Sequence, residues 1–596
     1  MSTITYEYGV RLESDCIQHV DHQINLARRT YNEMMAAIRS VHDAAQSFQM
    51  EKAGPEGRAI ADHIEALNAA FKEARAQQKE ESCLQAIAVE RRQCWRDLGV
   101  ILKVVRQEHK KALQEVFYNR IGINKGTDTY AIRCKAVADG LGWATAQDVL
   151  NRAIIAWKMS MKLGRAPQFA RGDEKTQDAL TLQFTEKGGM PKDKMLAGES
   201  VVIGVEPPEN TGKRAYGHFW FRLGSASEGH YARGTIQWHR DLPEDASIAS
   251  ARLVRKRTGC KMKYYMQYVI NMAQIRQTSD HARKALLAVH MGWSADISGR
   301  RVCGITDAAD PELAQIIQLP PEIERNIQRA ASIQGKRDQA RDEIAPKIRA
   351  FDGPLPPEWD EGTQDYWSHW KVLPANHMAA SRIHAWRKRL GDLVPEWLAE
   401  WCKTDRMLWI AATHTAQRAR NRRKDFYRNL AKTWASQYEA IVIEKPDIKK
   451  AAKIMDETTG ERTEFAKKAR AGRVLVSLYT LDSAIRWACQ KNGTAILDVN
   501  GEKTAATCAM CASEAIHTDT EDGQVLHCAD CGAVLDRKKN GAAVAWQLVI
   551  EQRENLVEEY WAEQLKKERE AAEAKLSRLE KMQAARRAKR EPAVAE

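Results

Sequence analysis

The sequence predicts an α+β multidomain chain. A β-barrel is interrupted by a long helical insertion, and a later α/β domain is interrupted by a small cysteine-rich ribbon. Three observations predict it. Residues 1–12 alternate apolar and polar, and the same period-two pattern returns only after residue 215. The second half carries short apolar runs spaced by helical stretches. Two Cys-x-x-Cys pairs lie close together, between Cys508 and Cys531.

The first strand rests on Ile4, Tyr6, Tyr8, Val10 and Leu12. From about residue 17 the pattern becomes helical. Residues 58–98 contain no Gly or Pro and carry Ile60, Ile64, Leu67, Phe71, Leu84, Ile87 and Val89. They predict one or two long helices, with more helix to about residue 160. Gly and Pro cluster over 164–235, so loops and short strands replace helices there. Strand patterns over 216–221, 234–239, 248–254 and 264–269 complete a small barrel whose first strand is residues 1–12. The runs 286–289 with 302–305, 440–443 and 494–499 read as a sheet covered by helices. Helix is expected over 310–350 and, after a loop with Pro354, Pro356 and Pro357, to about 437. Residues 542–591 contain no Gly or Pro and predict one long C-terminal helix, packed through Leu548, Leu556 and Trp561.

The 596 residues correspond to roughly four domains of about 150 each. A hydrophobic fraction of 44% and a charged fraction of 29% describe a soluble globular chain, which excludes disordered and collagen-like classes. The formal charge of +13 suits a polyanionic partner, first of all nucleic acid. No run of 18 apolar residues exists, so no membrane partner is expected. The opening residues have no basic and apolar leader, which predicts a cytoplasmic location without disulfides.

Eight of the 12 cysteines are scattered and read as small buried hydrophobes. Cys508, Cys511, Cys528 and Cys531 differ. A two-residue spacer lets both thiolates of a knuckle turn toward one ion, and two knuckles complete a tetrahedral zinc site. Four thiolates leave no open position, so the zinc would be structural. Redox cysteines are the competing reading.

Basic residues concentrate in three runs. The first is Arg252, Arg255, Lys256, Arg257, Lys261 and Lys263, with no acid between them. The second contains Arg418, Arg420, Arg422, Arg423, Lys424, Arg428 and Lys432 against Asp425. The third, over 449–473, has eight bases and four acids. A charge run alone is usually a solvated face. Three in one basic chain point to phosphate contacts, which supply affinity rather than sequence choice. The second run is helical, with Phe426, Leu430, Trp434 and Tyr438 marking its core face.

Four segments, in order, carry a resemblance: Ala288-Val-His-Met-Gly-Trp293, Ile441-Val-Ile-Glu444, the two cysteine pairs, and Asp536-Arg-Lys-Lys-Asn540-Gly-Ala-Ala. The chain resembles the TnpB and type V CRISPR effector group, whose RuvC nuclease is split into three segments. Residues 417–438 are similar to the arginine-rich helix before the second segment, and Trp238-His-Arg-Asp-Leu-Pro243 to part of the wedge barrel. The resemblance covers 215–270 and 285–548. It implies a bilobed protein. Residues 1–15 and 175–280 would form the wedge, an oligonucleotide-binding β-barrel, and 16–174 the helical recognition lobe. Residues 281–310, 400–500 and 536–560 would form the RuvC-like RNase H fold, with a helical insertion at 311–399. A zinc ribbon that binds target nucleic acid would span 501–535, and a C-terminal helix or tail 561–596.

In that group three acids hold two magnesium ions, which activate water and stabilise the leaving oxygen. Matched position by position, the acids fall on His290, Glu444 and Lys538. Magnesium requires hard oxygen ligands, so none is expected at this centre. The Lys538 ammonium repels a dication and is expected to pair with Glu444 instead, for about 4 kcal/mol at about 4 Å and a surface-like dielectric. Substitute carboxylates would have to come from Asp536, Asp498 or Asp296.

Among type V effectors the chain looks like subtype M, which is compact, has a degenerate RuvC centre and silences by binding. That implies a prokaryotic, cytoplasmic, monomeric ribonucleoprotein. It would carry a CRISPR guide RNA, recognise a short T-rich motif beside double-stranded target DNA, form an R-loop and block transcription or replication without cutting. Base pairing would carry sequence specificity. Trimming of the guide precursor occurs in the group. The 17 tryptophans read mainly as core packing, with Trp95, Trp143 and Trp157 in the helical lobe as candidate stacking caps for the end of a heteroduplex. The alternative is an active RNA-guided nuclease using the substitute carboxylates.

Overall fold

A computed structural model describes residues 2–588, apart from 77–80, 164–167, 171–177, 185–188, 201, 213, 225–230, 244–245, 259–260, 273–282, 297–298, 373–377, 445–471, 473 and 519–523. The chain divides into two units, one of residues 1–274 and one built from the rest.

The first unit is organised around β1 (Ser2–Leu12). Its other strands are β2 (Asp178–Gln183), β3 (Met190–Pro191), β4 (Ile203–Glu206), β5 (Tyr216–Arg222), β6 (Tyr231–Gln237), β7 (Ser247–Thr258) and β8 (Lys261–Met272). The antiparallel order is β2-β7-β8-β1-β6-β5-β4, with β3 also on β7. The first strand thus lies centrally, zipped to β8 from Ser2↔Met272 to Val10↔Tyr264. The alternating residues seen in the sequence point into one core, where Tyr8 stacks on Trp238 with ring centroids 4.7 Å apart.

The expected closed barrel is not found. Among the described residues, β4 and the β2/β3 edge do not pair, although both sides contribute to that core. The short helix Lys192–Leu196 directly follows β3 and contacts β4. Helices Ser14–Lys52, Gly54–Ala76, Glu81–Glu108 and Trp143–Leu163 follow β1 and precede β2. The first and last of these share a core that includes Met34, Met35, Ile38, Val149 and Leu150.

The second unit holds β9 (Lys284–Met291), β10 (Ala295–Asp296), β11 (Gly299–Thr306), β12 (Gln315–Gln318), β13 (Tyr438–Glu444) and β14 (Ala495–Val499). Their order is β10-β11-β9-β13-β14, with β12 on β11. β11 runs antiparallel to β9, while β9, β13 and β14 are mutually parallel. Both faces are covered, which explains the continuous apolar runs. Leu287, Val289, Ile441 and Ile443 face helices Glu396–Gln437 and Leu478–Asn492. Leu286, Ala288, Ala440 and Val442 face helix Arg537–Ile550 and the start of Arg553–Ala588.

Two helical expectations change. Residues 315–318 form β12, and helix begins only at Pro321. The C-terminal helix breaks at Glu551 and Gln552. Glu551 keeps helical dihedrals there (φ −67°, ψ −32°), so no Gly or Pro marks the break. Leu556 and Trp561 pack as expected, but Leu548 is 45% exposed.

A third sheet, β15 (Ile516–Thr518), β16 (Val525–Cys528) and β17 (Val534–Asp536), is antiparallel and leads directly into helix Arg537–Ile550.

Candidate functional site

Register alone brings two of the three candidate residues together. β9 and β13 run parallel with Val442 opposite Ala288 and Ile443 opposite Val289. One step further places Glu444 beside His290. Both share the parity of Leu286 and Val442, so both face helix Arg537–Ile550. His290 Nδ1 and Glu444 Oε2 lie 2.5 Å apart, at an angle that is not a hydrogen bond, and both atoms are buried without another partner. Lys538 enters from the first turn of that helix.

Four glycines make the approach this close. A methyl group at Gly541 would strike the His290 imidazole, and one at Gly501 the Glu444 carboxylate. One at Gly292 would strike the Lys538 ammonium, and one at Gly304 the Lys538 carbonyl. Their signal was present in the sequence only as glycines next to apolar strands.

The expected Lys538–Glu444 ion pair does not form among the described residues. Glu444 has His290 as its neighbour, while the Lys538 amine lies against Gly292, the residue that follows β9. Lys538 is 6% exposed, and burial pulls its amine down from 10.5 to about 8. Cys303 and Asp536 act weakly in the opposite direction. The Cys303 thiol is itself pushed up to about 12 by burial, so it offers the ammonium no thiolate near neutrality.

The substitute carboxylates are engaged elsewhere. Asp536 caps its helix, accepting from the Lys538 and Lys539 amides at 2.9 and 3.2 Å, and also pairs with Arg301. Asp498 pairs with Arg486 at 2.6 Å. The backbone of Asp296 lies in β10; its side chain falls outside the described residues.

The four ribbon cysteines converge, with all Sγ atoms within 4.8 Å of one another. The Cys508–Cys531 and Cys511–Cys528 sulfur separations are 3.8 and 3.5 Å. A tetrahedron with bonds of about 2.3 Å has edges of about 3.8 Å, so the donor set fits one tetrahedral metal ion. These separations are far too long for disulfides.

The two knuckles repeat one geometry. Ala512 N donates to Cys508 O at 2.9 Å, and Gly532 N to Cys528 O at 3.0 Å. Ala512 and Gly532 both have positive φ, 58° and 71°. Backbone amides, Cys531 first, lower the Cys528 thiol to about 7, whereas burial raises that of Cys508.

The basic candidates separate by burial. Arg255 is interior and bonded to Asp178 and Asp21, each at 2.6 Å. Arg423 is interior and donates to the Val474 and Leu475 carbonyls. Both guanidinium groups are engaged inside the protein. Lys256 pairs with Glu7, and Arg252 lies 3.5 Å from Asp148. Arg257 is half-buried. Lys261 and Lys263 are exposed, as are Arg418, Arg420, Arg422, Lys424 and Arg428 on one helix. The buried line of that helix is Ala419, Arg423, Tyr427, Ala431 and Trp434, with Phe426 and Leu430 only partly buried beside it. The third basic run, over 449–473, lies almost wholly outside the described residues. Trp157 is core, whereas Trp95 and Trp143 are 55% and 53% exposed.

No family model matches the chain. It is similar to a "CRISPR-associated DNA-binding protein Cas12m" of Thermanaerosceptrum fracticalcis, 25% identical over 426 residues, 68% of each chain. A protein of the same name from Pelobacter propionicus is 27% identical over 447 residues, 69% of this chain and 65% of that one. Among solved structures, a Cas12f1–sgRNA–target DNA complex aligns over 91% of this chain and 98% of that one, at 10% identity and a TM-score of 0.38. No helix among the described residues is long and apolar enough to cross a membrane.

Proposed function

We propose, from the premise that this chain is a homologue of the type V-M CRISPR effectors, that it is a guide-RNA-directed DNA-binding protein that silences without cutting. A CRISPR RNA pairs with one strand of a duplex beside a short T-rich motif, and the R-loop blocks a polymerase. In this reading the 1–15 and 175–280 segments are the wedge, 16–174 the recognition lobe, and the sheet around Glu444 the RuvC-like fold. The ribbon holds a structural zinc ion through Cys508, Cys511, Cys528 and Cys531 and faces the target. The exposed cations Lys261, Lys263, Arg418, Arg420, Arg422, Lys424 and Arg428 contact phosphates.

The observation that carries the absence of cutting is the occupancy of the centre. An imidazole fills the space beside the one carboxylate, and a buried amine lies against Gly292 at the end of β9. Two dications need several hard oxygens and open positions for water, and this pocket supplies neither. The engagement of Asp536 and Asp498 disfavours the active-nuclease reading.

The test incubates the purified ribonucleoprotein with supercoiled target plasmid and magnesium. Retarded but intact plasmid is expected; nicked or linear product refutes the proposal. Equal affinity for matched and scrambled targets would refute guidance.

A further inference from the structure

In the first unit a cavity of about 370 Å³ opens between the start of helix Trp143–Leu163 and the sheet. Its wall includes Gly142, Trp143, Thr145, Leu182, Phe221 and Arg222. This volume falls at the lower end of small-ligand pockets, about 300–1,000 Å³, so it admits a single nucleotide and not the end of a duplex.

Trp143 is the unusual wall residue. It is 53% exposed, although tryptophan normally buries most of its surface. The Arg133 guanidinium sits over its ring, 5.1 Å from the centroid, without itself lining the cavity. Arg133 is only 5% exposed, and its Nε has no hydrogen-bond partner. A buried cation therefore backs one face of the indole and leaves the rest open. A cation–π contact of this kind fixes the ring while the outer face can stack.

The cavity adds two features that suit an anionic, planar ligand. Arg222 lines it, and no carboxylate pairs with Arg222 among the described residues. The first turn of helix Trp143–Leu163 brings the positive end of a helix dipole. Thr145 does not compete for the ligand, because its Oγ is committed to the Thr181 backbone at 2.9 and 3.2 Å. Gly142 lets this turn approach the Gly224 backbone, where a methyl group would come within 3.1 Å.

We propose that this cavity takes one unstacked nucleobase of a bound strand, stacked on Trp143, with Arg222 on its phosphate. This rests on the nucleic-acid-binding reading above and adds a defined site to it. Guide RNA and target DNA offer the same chemistry, so the experiment separates them.

The test uses the full chain with its guide RNA and matched duplex. A fluorescent base analogue, 2-aminopurine or pyrrolocytosine, is moved position by position along the guide and each DNA strand. One position is expected to be quenched in the wild type, to brighten in Trp143→Ala and to be quenched again in Trp143→Phe, which keeps an aromatic face. The affinity for that strand should fall about tenfold in Trp143→Ala. Arg222→Gln should release the same position with the indole intact, which keeps the test open if Trp143→Ala fails to fold. A responding position in the guide assigns the site to RNA, and one in the duplex to DNA. A complex that forms with no responding position overturns the cavity proposal alone. Failure of the wild type to form any complex overturns the general reading along with it.

Discussion

Replacing Lys538 with methionine keeps the stem's length and removes its charge. The amine titrates near 8 in the folded protein against 10.5 in its ordinary state. That difference is a cost of about 3 kcal/mol for keeping the ammonium buried. Between pH 8 and 10.5 the unfolded chain holds this proton and the folded chain does not, so stability rises with pH across that window. Below pH 8 both states are charged and the folded state bears the full cost. Lys538→Met should therefore be more stable than the wild type at pH 7, by up to about 3 kcal/mol, with the gap closing by pH 10.5. Calorimetric unfolding of both variants from pH 7 to 10.5 measures this. The transition that moves is the one belonging to the β9–β13 sheet, which matters because a chain of this size does not unfold in one step. Parallel pH profiles, or a less stable variant at pH 7, would refute the claim that a buried charge sits in this centre.

The remaining expectations concern metal binding and two clusters. Cys528→Ser should abolish stoichiometric metal in the purified chain, read by elemental analysis, and expose the ribbon to limited proteolysis. Retained metal would break the four-thiolate assignment. Ala512→Gly should relieve a left-handed backbone costing about 1 kcal/mol and raise the chelator concentration needed to strip the metal. His384 is raised to about 9, first by its hydrogen bond to Asp405 at 2.8 Å and then by Cys402. The stability it contributes is complete below about 6.5 and is lost as pH rises through 9. Arg337 also holds the buried Asp405, at 2.7 and 3.1 Å, so Asp405→Asn should lower the melting temperature sharply, by about 3–5 kcal/mol in stability. The double variant His290→Asp with Lys538→Asp should gain manganese binding beside Glu444, visible by paramagnetic resonance.

Sequence periodicity was enough for the strands that bury one or both faces. Tyr8, Val289 and Ile441 appear in the core because a strand's side-chain period is two and leaves no other arrangement. Cys-x-x-Cys spacing was likewise enough to bring four sulfurs together, because a knuckle is a local structure. The pairing of charges was not legible, because it depends on which face of a strand a helix crosses. Lys538 and Glu444 have opposite charges, yet Gly292, Gly304 and Gly541 let the helix settle with its amine against Gly292 and His290 beside the acid. Arg255 and Arg423 were indistinguishable in sequence from their exposed neighbours, and only packing separates a guanidinium bound to Asp178 from one facing water. Barrel closure was undecidable for the same reason, since whether two edge strands meet depends on their placement in the folded chain. Local periodicity and spacing thus determined most of the elements, the clustering of the four ribbon cysteines and the identities of the residues at the centre. Tertiary packing alone decided which charges are buried, what each one touches and where a cavity remains, because those depend on distances between segments far apart in the chain.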